Sequence, residues 1–90
     1  MSKTFEKDLA KLIVSSNKVI GLRETIKAIN KGTGTIDLVI VSTNIDTALE
    51  KVILTECSNN NISVKRAFTK QDLGKLACLE VSCAVVGILK

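Results

Sequence analysis

Hydrophobic residues recur at helical spacing near the start of the chain. Phe5, Leu9, Leu12 and Ile13 follow the 3.6-residue period of an amphipathic helix. The polar residues after them interrupt this period. A second helix is then predicted over GLRETIKAINKG (residues 21–32), where a glycine ends it.

A strand and a third helix are predicted in the middle of the chain. IDLVIVS (residues 36–42) is a continuous apolar run rich in Val and Ile, which is typical of a strand covered on both faces. NIDTALEKVILTECSNNN (residues 44–61) predicts the helix, with Thr47 and Glu50 at the spacing of a capping box. Its predicted buried stripe consists of Ile45, Leu49, Val52 and Ile53.

The last third repeats the alternation of strand and helix. ISVKRAF (residues 62–68) predicts a strand, and Thr69 and Asp72 repeat the capping-box spacing before a short helix over residues 70–77. VSCAVVGIL (residues 81–89) predicts a final strand. Alternating helices and short strands indicate an α/β sandwich, a small sheet with helices on both faces, and leave the strand order open.

Length and composition restrict the class of protein. Ninety residues predict a single domain over residues 1–90. No apolar run approaches the ~18 residues of a membrane helix, and the polar start MSKTFEKDLAK does not resemble a secretory signal. We therefore expect a cytoplasmic protein with no membrane partner. The net charge of +4 is compatible with a polyanionic partner, although solubility alone can account for it.

Several kinds of chemistry lack their usual residues. The chain has no histidine, so the commonest general base and most metal sites are missing, and we predict neither an enzyme nor a cofactor. Cys57, Cys78 and Cys83 form no C-x-x-C pair and are predicted to be reduced core residues. Phe5 and Phe68 are the only aromatic residues, which argues against a stacking platform for single-stranded nucleic acid.

The second helix separates its apolar and charged residues. At 100° per residue, its predicted buried arc consists of Leu22, Ile26 and Ile29. The opposite side carries Arg23, Glu24, Lys27, Asn30 and Lys31. One interpretation is a solvated face with weak ion pairs. The other is a ligand surface, because a helix N-terminus attracts phosphate, Arg and Lys can contact guanine or phosphate, and a carboxylate can accept hydrogen bonds from a base edge.

Three stretches resemble a known family. GLRETIKAINKG, DLVIVSTNID (residues 37–46) and FTKQDLGKLACLEVSCAVVGIL (residues 68–89) are similar to the kink-turn-binding ribosomal proteins, which include archaeal large-subunit proteins of the L-seven-Ae type, the eukaryotic L-thirty type and short bacterial relatives. The resemblance covers residues 17–89. It implies a three-layer α/β/α sandwich around a small mixed four-stranded sheet. It also implies binding to sharply bent RNA with tandem sheared G·A pairs.

The resemblance also implies site residues. Gly21, Glu24 and Lys27 match the family motif, whereas Arg23 stands where archaeal members have asparagine and bacterial ones often have lysine. An arginine can still reach a guanine acceptor, but an asparagine-type pairing is lost. A second expected contact is the loop Leu79–Glu80–Val81, which matches the family loop that covers an extruded nucleotide. The expected RNA contacts are Gly21, Arg23, Glu24, Lys27, Lys31, Lys75, Leu79, Glu80 and Val81.

Two departures from the family bear on this assignment. Cys78 stands where the family usually has glycine, which puts the backbone geometry of the following loop in question. Lys65 and Arg66 interrupt a strand that is more apolar in relatives, so we expect this strand at a sheet edge.

Competing interpretations stay open at the level of sequence. Leu79 and Val81 could belong to the core, and Gly74 could serve only close helix packing. The leading function is a monomeric, non-catalytic protein that binds structured RNA containing a kink-turn, in the ribosome or in another ribonucleoprotein. The alternative is a protein-interaction module that keeps the fold but has lost RNA binding.

Overall fold

Eight elements alternate along the chain in a computed structural model that describes residues 2–31, 36–78 and 80–89. Four of them are helices and four are strands. In chain order they are α1 Ser2–Ser15, β1 Lys18–Ile20, α2 Leu22–Lys31, β2 Ile36–Val41, α3 Thr47–Asn59, β3 Ser63–Arg66, α4 Lys70–Leu76 and β4 Val85–Leu89.

The strands form one mixed sheet in the order β1-β4-β2-β3. Strand β4 runs antiparallel to both β1 and β2, and β3 runs parallel to β2. One face of the sheet packs against α1 and α4 around Ile13 and Leu73, and the other packs against α2 and α3 around Ile29 and Ile53. The predicted three-layer α/β/α sandwich is therefore confirmed.

Strands β1 and β4 differ from the sequence prediction. Strand β1 has no counterpart in the sequence prediction, because a three-residue strand is too short to show a period. Its pairing with β4 creates it, with Val19 opposite Gly87. Strand β4 begins at Val85 rather than at residue 81, because residues 80–84 bend back along α4, where the Cys83 N–H donates to the Lys70 carbonyl at 3.0 Å.

Helix α3 corrects two expectations. Its N-cap is Asp46, whose carboxylate accepts from the Ala48 N–H at 2.9 Å, so the predicted Thr47–Glu50 capping box is wrong. Leu49 and Val52, expected to be buried, are 41% and 46% exposed. The buried stripe is narrow because α3 packs through Ile53 and Cys57, and Val52 lies 100° around the helix from Ile53.

The capping and edge predictions elsewhere are confirmed. The Thr69 hydroxyl accepts from the Asp72 N–H at 3.2 Å and so caps α4. Strand β3 is an edge strand, and Lys65 and Arg66 are both exposed on it. Arg66 donates to the Thr43 carbonyl at 3.1 Å and lies 3.3 Å from the Glu50 carboxylate, which ties the edge to α3.

The cysteines divide into two kinds. Cys57 and Cys83 are buried as predicted, and burial, aided by the neighbouring Glu56 charge, raises the pKa of the Cys57 thiol to about 11. Cys78 is exposed, so its assignment to the core is wrong. It follows the end of α4 in a left-handed conformation, which turns it away from the core. In the described part of the chain, no helix has the length and apolarity that crossing a membrane would require.

Gly74 allows the chain to fold back on α4. A Cβ atom placed there would collide with the Val81 carbonyl oxygen and lie 3.2 Å from the Ser82 Cα. We predict that Gly74→Ala destabilises the protein by about 1–3 kcal/mol, because backbone atoms have to move. The control Gln71→Ala changes an exposed position of the same helix and is expected to have an effect within about 0.5 kcal/mol. Urea unfolding measures both.

A glycine with close neighbours and a glycine in open space predict effects of opposite sign. A glycine in open space on a helix is improved by alanine, by about 1 kcal/mol. A Gly74→Ala protein that is as stable as the parent, or more stable, would therefore contradict the close approach of Val81.

Candidate functional site

The ends of three strands and the start of the fourth meet at one edge of the sheet. Ile20 at the end of β1 pairs with Val86, and Val41 at the end of β2 pairs with both Val85 and Arg66. We call this side of the sheet the carboxyl edge, formed by residue 21 and residues 42–46, 67–69 and 80–84. Ligands in α/β proteins commonly bind beyond the carboxyl ends of strands.

Gly21 connects β1 to α2 at the carboxyl edge. Its φ of +96° lies in a region that favours glycine, and an added Cβ would meet no described atom within 4 Å, so the requirement is conformational. Its N–H donates to the Val85 carbonyl at 2.8 Å, and its carbonyl accepts from the Thr25 N–H at 3.0 Å. Helix α2 therefore begins directly beside the first residue of β4.

The buried side of α2 is shifted from the predicted arc. Thr25, Ala28 and Ile29 are its buried residues, whereas Leu22 and Ile26 are only partly buried. The shift follows from Gly87 in β4, because a Cβ there would lie 3.1 Å from the Thr25 methyl carbon. The absence of a Cβ atom at Gly87 thus allows Thr25 to lie against the sheet.

The charged side of α2 is open to solvent as expected. Arg23, Glu24, Lys27 and Lys31 are all exposed. Lys27 Nζ lies 3.8 Å from Glu24 Oε1, and the two side chains are 65% and 61% exposed. Such a pair contributes only a few tenths of a kcal/mol, so a ligand can replace it at little cost. Glu24 in the first turn and Lys31 in the last turn also complement the helix dipole.

The loop between α4 and β4 begins in a left-handed conformation that favours glycine, although residue 78 is a cysteine. Cys78 has a φ of +62°, and its N–H donates to the Lys75 carbonyl at 3.0 Å. A residue with a Cβ loses about 1–2 kcal/mol in this conformation. Cys78 therefore adopts the conformation that a glycine would adopt here, at a cost in stability.

Residues 80–82 of this loop are exposed. Val81 is 69% exposed and Glu80 is exposed, which excludes a core role for Val81. Leu79 lies outside the described residues. The close contact of Gly74 with Val81 also shows that this glycine serves the loop, beyond any packing between helices.

A buried thiol joins the loop to α2. The Cys83 S–H donates to the Val85 carbonyl at 3.1 Å, and the same oxygen accepts the Gly21 N–H. Burial raises the pKa of Cys83, which favours the protonated thiol as a donor. The Val85 carbonyl oxygen thereby accepts hydrogen bonds from both the end of the loop and the residue before α2.

The predicted contacts fall into two groups on either side of this junction. Gly21 and the charged face lie with α2 on one face of the sheet, whereas Lys75 lies on α4, which packs on the other face. Lys75 lines a hollow of about 280 Å³ with Ala10 of α1 and Phe68. The structure therefore does not bring Lys75 to the α2 surface, and its role stays a prediction.

The structure adds residues to the carboxyl edge that the sequence did not suggest. The Lys70 N–H donates to the Asn44 side-chain oxygen at 2.9 Å, which joins the β2–α3 and β3–α4 connections. Phe68, between them, has a φ of +66°. Backbone strain of this kind is common at functional sites. The available sequence signal was that Asn44 and Lys70 lie two residues after predicted strands and that Phe68 ends one.

No group of three or more potential metal ligands occurs among the described side chains. The site is thus a surface of charged groups around a glycine turn, with an exposed apolar residue on the neighbouring loop. These groups can bind an anion or an exposed base edge.

The chain matches a family of known proteins. The model of the ribosomal protein L7Ae/L30e/S12e/Gadd45 family matches residues 3–90. The chain belongs to this family. A comparison with curated proteins gives no match. The family assignment agrees with the expected α/β fold and with the expectation of a non-catalytic protein.

Two solved structures are similar to this L7Ae-type fold. A protein of unknown function from Bacillus halodurans has a TM-score of 0.80 at 24% identity, over 90% of this chain and 83% of that one. A Giardia lamblia protein described as a 15.5kD RNA binding protein has a TM-score of 0.74 at 23% identity, over 94% of this chain and 75% of that one. Both likenesses concern the fold.

The left-handed conformation of Cys78 leads to a stability prediction. We expect Cys78→Gly to raise the free energy of unfolding by up to about 1 kcal/mol, because relief of the conformational cost exceeds the added entropy of the unfolded chain. Cys78→Ala keeps the Cβ and should give no such gain. Urea unfolding under reducing conditions compares the two, and equal stabilities would show that residue 78 does not hold a positive φ.

Proposed function

We propose that this chain is a non-catalytic, ribosomal-protein-like RNA-binding protein that recognises a kink-turn, an RNA bend with tandem sheared G·A pairs. The family match supports RNA as the ligand class, and the Giardia lamblia RNA binding protein shares the fold. The observation that carries the proposal is the exposed Arg23–Glu24–Lys27 surface, which starts at Gly21 beside the β4 loop.

Each group on this surface has a distinct role in the proposal. Arg23 and Lys27 donate to guanine acceptors or phosphate oxygens. Glu24 accepts from the N–H groups of a guanine edge, which explains a carboxylate within a surface for a polyanion. The Glu24–Lys27 pair, 3.8 Å apart and exposed, is weak enough for base contacts to replace it.

The loop supplies the apolar part of the contact. Val81 is a large apolar residue with 69% exposure, and such a residue can cover an unstacked nucleotide. Glu80 and Leu79 remain predicted members of this contact. A base that leaves the stack at a bend loses its stacking energy, and contact with the loop offsets part of that loss.

A pre-formed protein surface lowers the cost of bending RNA. Bending nucleic acid costs several kcal/mol, which the contacts must offset. Gly74, Cys78 and Cys83 fix the loop before RNA arrives, and Gly21 fixes the helix start. Little ordering of the chain then remains to be lost on binding. We expect RNA affinity to depend only modestly on salt concentration, because few lysines line the proposed contact.

One observation favours the alternative of a protein-interaction module. Leu49, Val52 and Leu54 of α3 are 41–46% exposed, and they lie on the same sheet face as α2. A partner protein could cover them. The left-handed turn at Cys78 and the exposed Val81 support the RNA proposal instead. The proposal further includes a place in the ribosome, a cytoplasmic location and a monomeric state.

Lys27→Ala tests the α2 surface. We expect it to weaken binding to a kink-turn RNA by about 1–3 kcal/mol, through loss of a guanine or phosphate contact. Lys11→Ala removes an equal charge from an exposed position on α1, across the sheet, and should bind nearly as the parent does. Fluorescence titration with a short kink-turn RNA measures all three proteins.

A straight duplex of equal length is the matching RNA control. The parent should prefer the kinked RNA, and Lys27→Ala should lose most of that preference. Equal affinity of the parent for both RNAs would indicate general charge attraction and would contradict recognition of the bend.

A further inference from the structure

A shallow groove lies along α1 and α4, on the face of the sheet opposite α2 and α3. It consists of two hollows, of about 560 and about 280 Å³, that share Ala10. The larger hollow is lined by α1, and the smaller one lies between α1 and α4. We call both together the α1–α4 groove. Its apolar lining is Ala10, Val14, Phe68 and Leu76, and its cationic groups are Lys11 and Lys75.

The larger hollow exposes an apolar helix surface to solvent. Val14 is 59% exposed and lies one turn after Ala10, on the same side of α1. The Ser15 hydroxyl, which also lines this hollow, donates to the Lys11 carbonyl at 2.7 Å, so it has a partner within the helix. A contiguous exposed apolar surface bordered by charged groups is typical of a protein contact site.

The smaller hollow has a rigid wall. Phe68 holds the unusual φ of +66°, and its carbonyl accepts from the Thr43 N–H at 2.8 Å. Its side chain is only partly buried, and it packs with Leu76 against the core beneath the groove. The backbone that carries the Phe68 ring is therefore fixed before any partner arrives.

Two ammonium groups, one from each helix, accompany this apolar lining. Lys11 and Lys75 are exposed, and neither forms an ion pair or a side-chain hydrogen bond among the described residues. Asp72 lies one turn before Lys75 in the same hollow. Its carboxylate disfavours a run of phosphates, whereas isolated carboxylates can pair with the two lysines without meeting it. The groove thus fits an apolar stripe with acidic groups at its borders.

We propose that the α1–α4 groove binds an amphipathic helix of a partner protein, with its apolar stripe on Val14, Phe68 and Leu76 and its carboxylates on Lys11 and Lys75. A helix laid into an apolar groove is a common mode of peptide recognition. The proposal goes beyond RNA binding and does not depend on it. Since α2 lies on the other face of the sheet, the chain could hold RNA and a protein helix together.

A designed peptide with this chemistry tests the groove. The probe is a stapled, fluorescent helix of about 15 residues with leucines at i, i+3, i+4 and i+7 and glutamates on both borders of that stripe. The comparison peptide carries lysines in place of the glutamates. By fluorescence anisotropy, the full chain without RNA should bind the acidic peptide about tenfold more tightly than the basic one.

Matched substitutions locate the contact. Val14→Glu should weaken binding of the acidic peptide about tenfold, whereas Val52→Glu makes the same change at an exposed position of α3 and should have little effect. Lys11→Glu should reduce the preference for the acidic peptide by about threefold to tenfold, and Lys51→Glu on α3 should leave most of it in place. Thermal melting verifies that each variant is folded.

Three results would overturn the proposal. The first is a parent protein that binds neither peptide, or both equally. The second is an equal effect of Val14→Glu and Val52→Glu on the acidic peptide. The third is another occupant: a parent dimer in sedimentation that Val14→Glu dissociates would indicate a second copy, and loss of kink-turn RNA binding in Val14→Glu would indicate RNA. Failure of RNA recognition itself appears separately, in the Lys27→Ala titration.

Discussion

The hydrogen bond from the Gly21 N–H to the Val85 carbonyl holds together the surface that we propose binds RNA. It forms because β1 lies antiparallel to β4 and because glycine permits the chain to turn at φ +96° into α2. The buried Cys83 thiol donates to the same carbonyl. The charged helix and the exposed loop, which lie on different sides of the sheet, thus share one acceptor at the carboxyl edge.

Contacts within the protein chain, rather than contacts with RNA, shape the α4–β4 loop. Gly74 admits the Val81 carbonyl, the Cys83 N–H donates to α4 at Lys70, and Cys78 begins the loop in a left-handed conformation. A side chain at position 78 makes that start less stable than glycine would. Fixing a binding loop in advance reduces the entropy lost when a ligand arrives. In the proposed function, RNA binding and stability are therefore coupled at this loop.

Much of this arrangement could be read from periodicity, and the exceptions have physical causes. The charged side of α2 was predictable because helical spacing fixes which residues share a face. Strand β1 was not, because pairing with β4 defines its three residues. Asp46 and Thr47 can both cap a helix, and only the backbone decides between them. The exposure of Leu49 and Val52 depends on how α3 is placed against its neighbours, which hydropathy does not encode.

Backbone amide NMR during titration with a kink-turn RNA would test the shared surface most directly, since it observes every segment at once. The amides of residues 21–31 and 80–85 should shift together and saturate at one RNA concentration, while those of α1 and the exposed side of α3 stay in place. Shifts concentrated on α3 around Leu49 and Val52, with residues 21–31 unchanged, would contradict an RNA-binding surface built on the Gly21–Val85 junction.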